Sequence, residues 1–343
     1  MSRNLSVSFL KYISVRALIF IFTLLVSFSI IFLLLRLMPA SIVDALLAGL
    51  SQSAQSITPE EYLKLRETLE EIFGLKGSLS ELYVKYMYRF FTLDFGPSMI
   101  AFPTPVREII LNSLPWTAGL LSFSTIISWI TGNMLGTLAS FFERSHKNTS
   151  RVLQGVAVIL YPIPYYIMAL VLIFLFAYLI PIFPLAGAFI SSSRFTFSLE
   201  NIYLIIKAST LPALSMILVS ALGWWFLSSR ALTLNVLSED YFLYAVIRGL
   251  DSGYMARKYV LKNILLPQTT ALSLALGGIF NGALLTEIIF AYPGLGFILY
   301  KSVVSGDYST AMGILSLSII AVAAATFIID IIYPLIDPRV RHK

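Results

Sequence analysis

Few residues of this sequence could do covalent chemistry. The 343-residue chain has no cysteine and two histidines, His146 and His342, which removes thiolate nucleophiles, disulfides and Cys-based metal sites and leaves little for metals. No G-x-x-x-x-G-K-[ST] run occurs, so the chain lacks the phosphate cradle needed to bind and split ATP in the P-loop manner. The polar side chains that remain are suited to contact chemistry, and they concentrate in two places. One is the stretch from Arg230 to Pro267, where Asp240, Tyr241, Ala245, Arg248, Gly249, Leu250, Arg257, Lys258 and Lys262 mix charge with small residues. The other runs from Asn281 through Glu287 to Pro293-Gly294-Leu295-Gly296, which ends in a turn-and-re-entry signature.

The elements that must position these residues follow from composition. Hydrophobic residues make up 58% of the chain and charged ones 12%, about half the roughly 25% of soluble proteins. Ionised side chains are depleted where a surface faces hydrocarbon, and the mean hydropathy of +0.85 has the same origin. A soluble enzyme is excluded. Six uncharged runs are long enough to cross a bilayer: Ala17 to Leu35, and runs within 109–142, 152–193, 208–229, 263–286 and 308–329. The predicted fold is an all-α polytopic membrane protein with six spans. The third run is too long for one helix; Pro181 and Pro184 end it near Ile180, and Pro162 and Pro164 are placed to kink or break it. Residues 1–38 read as an N-terminal segment and first span, 39–108 as an outer cap, and 109–343 as the core with an inner loop at 230–267.

With six spans, both termini share one side. Placing that side in the cytoplasm puts 14 of the 24 Lys and Arg there, including Arg3, Lys11, Arg16, Arg144, Lys147 and Arg151, for a balance of +8 inside and −2 outside. The short basic loops therefore face inward, and both termini are expected in the cytoplasm, with the apolar N-terminal run a retained anchor rather than a cleaved signal. The pI of 9.3 is explained by this topology and by anionic lipid, without a nucleic-acid partner.

Two loops are long enough to do more than connect. The outer one carries a charged helical stretch, Pro59–Glu71, with Thr58 as N-cap and Glu61 at the third position. Tyr83, Tyr86, Tyr88, Phe90, Phe91 and Phe95 follow, suited to the headgroup level or the underside of the cap. This segment serves either as a packed rim or as a docking surface for solute delivered from outside. The inner loop accommodates two short helices. The first starts after Ser238 as N-cap, with Asp240 in its first turn, and stops at Gly249 with Arg248 beside its carbonyl end. Asp251 or Ser252 caps the second, Lys258 and Lys262 lie four apart on it, and Pro267 marks the start of the fifth span.

That elbow resembles a known family. Ala245, Gly249 and Leu265-Leu266-Pro267 follow the order found in membrane subunits of binding-protein-dependent ABC importers, and the interval of 18 residues from Gly249 to Pro267 resembles the dipeptide/oligopeptide class. Asp240-Tyr241, Arg248-Gly249-Leu250, Lys262-Asn263, Asp94-Phe95-Gly96, Leu211-Pro212-Ala213-Leu214, Glu287, Pro293-Gly294-Leu295-Gly296, Asp307-Tyr308 and Asp337-Pro338-Arg339-Val340-Arg341 match in order. Departures are Leu243 at the usual acidic position, Val246 where basic residues are common, and Pro39-Ala40-Ser41 after the first span, which makes the partner contact more apolar. The Asp94-Phe95-Gly96 tripeptide also occurs in kinases, but no accompanying phosphate loop or catalytic loop is present.

The resemblance implies a non-catalytic permease with no cofactor of its own. It implies a second homologous permease, two ABC ATPase subunits that bind ATP and Mg and receive the elbow in a groove, and an extracellular solute-binding protein. It also implies that Ala245 is small because it faces that groove. Peptides are the prior solute, with oligosaccharides or nickel as other cargoes of the class. Arg248, Arg257, Lys258 and Lys262 suit either ATPase contact or lipid headgroups. Pro293 to Gly296 is either a tight turn or a gate at the pore mouth; Asn133, Asn281, Gly277, Gly278 and Gly282 suit close packing or a polar pathway. Glu287 and Arg36 are placed near outer span ends, where snorkelling is cheap. The competing class is an ion-coupled secondary transporter or channel, which would place an ionisable residue at mid-membrane; none is expected in the six spans. A membrane-embedded enzyme lacks the necessary His, Asp or Glu cluster.

Overall fold

The computed structural model describes residues 2–37, 47, 58–72, 77–143, 145–185, 198–277 and 284–336. Their regular structure is helical: α1 Ser2–Leu37, α2 Pro59–Ile72, α3 Leu79–Thr92, α4 Val106–Phe141, α5 Lys147–Leu160, α6 Tyr165–Ile173, α7 Leu199–Val219, α8 Phe226–Leu237, α9 Asp240–Ile247, α10 Ser252–Met255, α11 Lys262–Gly277, α12 Leu284–Ile289, α13 Leu295–Val304 and α14 Tyr308–Ile336. Wider π-helical turns extend α6 over Phe174–Leu179, join α7 to α8 over Ser220–Trp225, and join α10 to α11 over Ala256–Leu261. Helix satisfies backbone donors and acceptors within one segment, as hydrocarbon, which offers no hydrogen-bond partners, demands.

Among the described residues, four helices are long and apolar enough to cross a membrane, and the pair α5 and α6, bent by 103°, supplies a fifth if counted as one span. The bend falls at Tyr161–Pro164, where Pro162 and Pro164 remove two backbone donors, so the prolines break this run rather than merely kink it. The π-helical extension of α6 ends at Leu179, just before Pro181, as the sequence requires. The expected span over 263–286 is represented by α11 and α12; residues 278–283, with Asn281, Gly278 and Gly282, lie outside the described residues, as do Pro39-Ala40-Ser41, Arg144 and the tail from Asp337.

The chain divides into two compact units, one of 1–115 with 294–343 and one of 116–293. In the first, α1 and α14 lie side by side. Arg16 pairs with Asp330 at 3.2 Å, the Tyr12 hydroxyl donates to the Asp330 carbonyl oxygen at 3.0 Å, and Phe20 stacks on Phe327. Farther along α1, Phe28 and Phe32 pack on Phe90, Tyr83 and Tyr86 of α3, and Tyr86 reaches Ser316 on α14. The aromatic run after the charged helix α2 is thus divided: Tyr86, Phe90 and Phe95 are buried, whereas Tyr88 and Phe91 are exposed. Helices α2 and α3 both begin with reciprocal capping boxes, Thr58 with Glu61 and Ser78 with Glu81. Buried Asp307 fastens the loop before α4 to the start of α14: its carboxylate accepts from the Ser98 and Thr310 hydroxyls and from the Thr310 backbone N–H.

In the second unit, α7, its π-helical turn and α8 form one continuous helix, Leu199–Leu237, longer at both ends than the run 208–229. Helix α4 packs on it through Gly132 and Gly136. A Cβ at Gly132 would stand 2.4 Å from the Trp225 Cβ, and one at Gly136 would stand 2.4 Å from the Phe226 carbonyl oxygen. Two small residues four apart let the backbones touch, so dispersion and hydroxyl bonds replace the hydrophobic effect that lipid does not provide. Thr137 and Ser229 bond at 2.9 Å beside this contact, and the Ser229 hydroxyl donates to the Asn133 carbonyl oxygen at 3.0 Å.

Candidate coupling elbow and buried polar sites

The elbow is built from its helix ends. Continuous helix carries the chain to Leu237, where Ser238 serves as the C-cap of α8 and not as the N-cap of the next helix; Glu239 takes that position, with extended backbone. The difference arises because no glycine or proline interrupts the chain between Gly223 and Gly249, so α8 runs on until α9 begins. Helix α9 ends in a Schellman motif. The Gly249 N–H donates to the Val246 carbonyl oxygen at 2.9 Å and the Leu250 N–H to that of Ala245 at 3.3 Å, with Gly249 at φ +69°. No described residue stands within 4 Å of a Cβ built there, so among the described residues the backbone angle alone calls for glycine. Asp251 then caps α10 by accepting the Tyr254 N–H at 3.0 Å, as the sequence requires.

Phe242, Ala245, Met255, Val260 and Ile264 form the inner face of the elbow, with Val236 behind them. Ala245 is 1% exposed. Its small side chain is therefore used to seat α9 on its own chain, a correction to the expectation that it faces outward. The outward face carries Asp240, Tyr241, Leu243, Tyr244, Val246, Ile247 and Arg248, with Ile247 74% exposed. Tyr241 stacks on Tyr259, and Arg248 lies over the Tyr244 ring at 5.8 Å. Partial desolvation of the largely exposed Tyr241 phenol, with Glu239 nearby, pushes its pKa up. Arg257, Lys258 and Lys262 are exposed on the following helical segment. Pro267 sits inside α11, five residues past its start, and does not open it; its missing N–H is tolerated within a helix that starts earlier.

Arg230 does not belong to a loop. It lies in α8, 8% exposed, with one guanidinium nitrogen 3.0 Å from the Glu143 carboxylate and the other donating to the hydroxyls of Ser140 and Ser150. Sequence reasoning missed this group; the available signal was the uninterrupted helical stretch on both sides of Arg230. A second cluster lies higher on the same helices: the Trp129 indole N–H donates to the Gln268 carbonyl oxygen at 3.0 Å, and the Gln268 amide donates to Ser228 at 2.9 Å. The Asn133 amide donates to the Trp129 carbonyl oxygen of its own helix at 2.8 Å, which fits the packing reading of that residue.

Glu287 is also placed differently from expectation. It is 0% exposed on α12 and accepts a hydrogen bond from Thr117 at 2.8 Å. The carboxylate thus lies in the interior of its unit, where a separate six-residue helix and the tight turn after it, with Ala291 at φ +46°, turn it inward. Pro293 is buried in that unit; Gly294, the N-cap of α13, and Gly296 are buried in the other.

Residues 108–342 match the family described as binding-protein-dependent transport system inner membrane component. This chain belongs to that family. It is therefore a membrane-spanning subunit of an ABC importer of the binding-protein-dependent kind, and the all-α architecture, the apolar helices and the elbow fit that membership. Among its relatives, the oligopeptide transport system permease protein AppB of Bacillus subtilis is 29% identical over 81% of this chain and 85% of the relative. The probable D,D-dipeptide transport system permease protein DdpB of Escherichia coli is 28% identical over 80% and 84%. The glutathione transport system permease protein GsiC of Shigella boydii is 27% identical over 97% of this chain and the whole of the relative.

Proposed function

We propose that this chain forms half of the translocation pathway of a peptide importer and takes its driving force from an ATPase seated on α9. The observation that carries the coupling is the outward face of α9: a helix closed by a Schellman motif keeps its own apolar side chains packed inward while leaving Leu243, Tyr244 and Ile247 exposed beside Arg248. Such a contiguous apolar-aromatic surface at a helix turn is suited to a protein partner. The peptide assignment is supported by the names of the relatives, all of which span most of this chain.

In this reading, two ABC ATPases bind ATP and Mg and dock on the elbows of this chain and of a second, homologous permease, while an extracellular binding protein delivers solute at the outer cap. Both termini, Arg230 and the elbow lie on the cytoplasmic side, where Arg257, Lys258 and Lys262 meet the ATPase or anionic headgroups. Closure of the ATPases pushes α9; because α9 is seated on α8 and α11 through its buried face, the push tilts both helices and alternates access to the pathway. No covalent step occurs in this chain. A buried carboxylate such as Glu287 is also used by ion-coupled carriers, but the family weighs against that mechanism.

The test is co-purification with the ATPase subunits and peptide uptake by the reconstituted importer. Replacing Gly249 with tryptophan should abolish ATPase association while the chain remains folded in the membrane. Undiminished association and uptake would remove the elbow from the mechanism.

A further inference from the structure

A cavity of about 420 Å³ opens where the α5–α6 break meets the π-helical turn before α8 and the first residues of α12. Its walls include Tyr161, Tyr165, Tyr166, Trp224, Ser220 and Thr286, and among the described residues no Asp, Glu, Lys or Arg lines it. Two irregularities of the backbone make it. The proline break swings the three tyrosines across the helix ends, and the π-helical turn rotates Ser220 and Trp224 to face them. Tyr161 and Trp224 lie nearly parallel with ring centroids 6.4 Å apart, and the absent side chain of Gly223 lets the Tyr161 backbone approach to 3.0 Å of a Cβ position.

Resting on the translocation reading, we propose that this cavity receives a neutral apolar or aromatic side chain of the peptide in transit. Volume and chemistry select that occupant. The hydroxyls of Tyr161, Tyr165 and Tyr166 and the Trp224 indole N–H make no hydrogen bond among the described residues, and the four side chains are 37–52% exposed, so they are open to an incoming partner. A peptide brings amide donors and acceptors to meet them and an apolar side chain to cover the rings, whereas a lipid acyl chain leaves all four unsatisfied. A lysine or aspartate side chain would be desolvated with no counter-charge on the walls. Rigid aromatic surface with adaptable hydroxyls gives contact area that tolerates many side chains, as a transporter of varied peptides needs. Nor does the cavity fit an interfacial aromatic belt: Trp224 lies about 9 Å along the helix from Arg230, on the apolar side of that buried charge.

The experiment uses the complete importer, reconstituted with its ATPases and binding protein. A photoreactive tripeptide, alanyl-benzoylphenylalanyl-alanine, is irradiated during turnover and its adducts are mapped by mass spectrometry. Adducts are expected in the 161–166 and 220–224 segments, displaced by the phenylalanine tripeptide and not by its lysine or aspartate analogues. Trp224→Ala should lower them about fivefold and Trp224→Phe less than about twofold. Adducts elsewhere in the chain with uptake intact would overturn the cavity assignment and leave the transport reading standing. Labelling of the cavity by a photoreactive acyl lipid that peptide does not displace would overturn it as well. An assembled importer that takes up no peptide at all would remove the transport reading, and this inference with it.

Discussion

The guanidinium of Arg230 lies 3.0 Å from the carboxylate of Glu143, and this pair ties the helix that leads into the elbow to the turn between α4 and α5. The two partners are unequally buried, with side-chain exposures of 10% for Arg230 and 36% for Glu143. Removing the exposed acid leaves a buried cation with only serine hydroxyls, whereas removing the arginine lets the acid turn to water. Glu143→Ala should therefore destabilise by about 2 kcal/mol and Arg230→Met by less. Thermal unfolding of the purified protein in detergent checks the order; equal losses would contradict the asymmetry.

Gly249 separates backbone from surface requirements. Asparagine tolerates positive φ, so Gly249→Asn should preserve the Schellman motif, while Gly249→Val should cost about 1–2 kcal/mol in the chain alone. If the surface reading holds, both variants lose ATPase binding, since each adds a side chain where the chain itself leaves open space. Melting temperatures and co-purification on the same samples distinguish the two effects.

Ile247 is strongly exposed and makes no part of the inner elbow cluster. Ile247→Asp should leave stability within about 0.5 kcal/mol and weaken ATPase association about tenfold or more. A variant that unfolds would show that Ile247 packs within its own chain.

The glycines of α4 and α5 should respond in opposite directions. Gly136→Ala forces a methyl group against the Phe226 carbonyl and should cost about 1–3 kcal/mol, whereas Gly155→Ala enters open space in α5 and should gain up to about 1 kcal/mol. Fluorescence-detected thermal aggregation of both variants reads the sign.

The first turn of α2 has a pH dependence of known sign. Hydrogen bonds from the Thr58 backbone and hydroxyl hold the exposed Glu61 carboxyl below its usual 4.5. Because the folded value is depressed, the stabilisation is complete above about 4.5 and is lost as pH falls through the lower folded value. Amide exchange in α2 should therefore accelerate below that range, and Thr58→Ala, which keeps the backbone N–H, should bring the Glu61 titration only part of the way back toward 4.5.

Much of this arrangement was legible in the residues, for reasons that operate locally. Uncharged runs mark membrane segments because hydrocarbon excludes charge; Pro162 and Pro164 mark a break because they lack donors; Thr58, Gly249 and Asp251 mark helix ends because caps act over three or four residues. Proximity between segments distant along the chain was not legible. Arg230 read as a loop cation until α8 was seen to continue and Glu143 to meet it from 87 positions away. Ala245 read as an outward residue because smallness suits any close contact, and only the packing of α9 on Val260 and Ile264 decided which surface it touches. Glu287 read as an interfacial acid because span counting measures distance along the chain, whereas its burial against the Thr117 hydroxyl is decided by packing. Local rules fix the ends of helices; which faces of those helices meet depends on the simultaneous fit of many side chains, and that fit exists only in three dimensions.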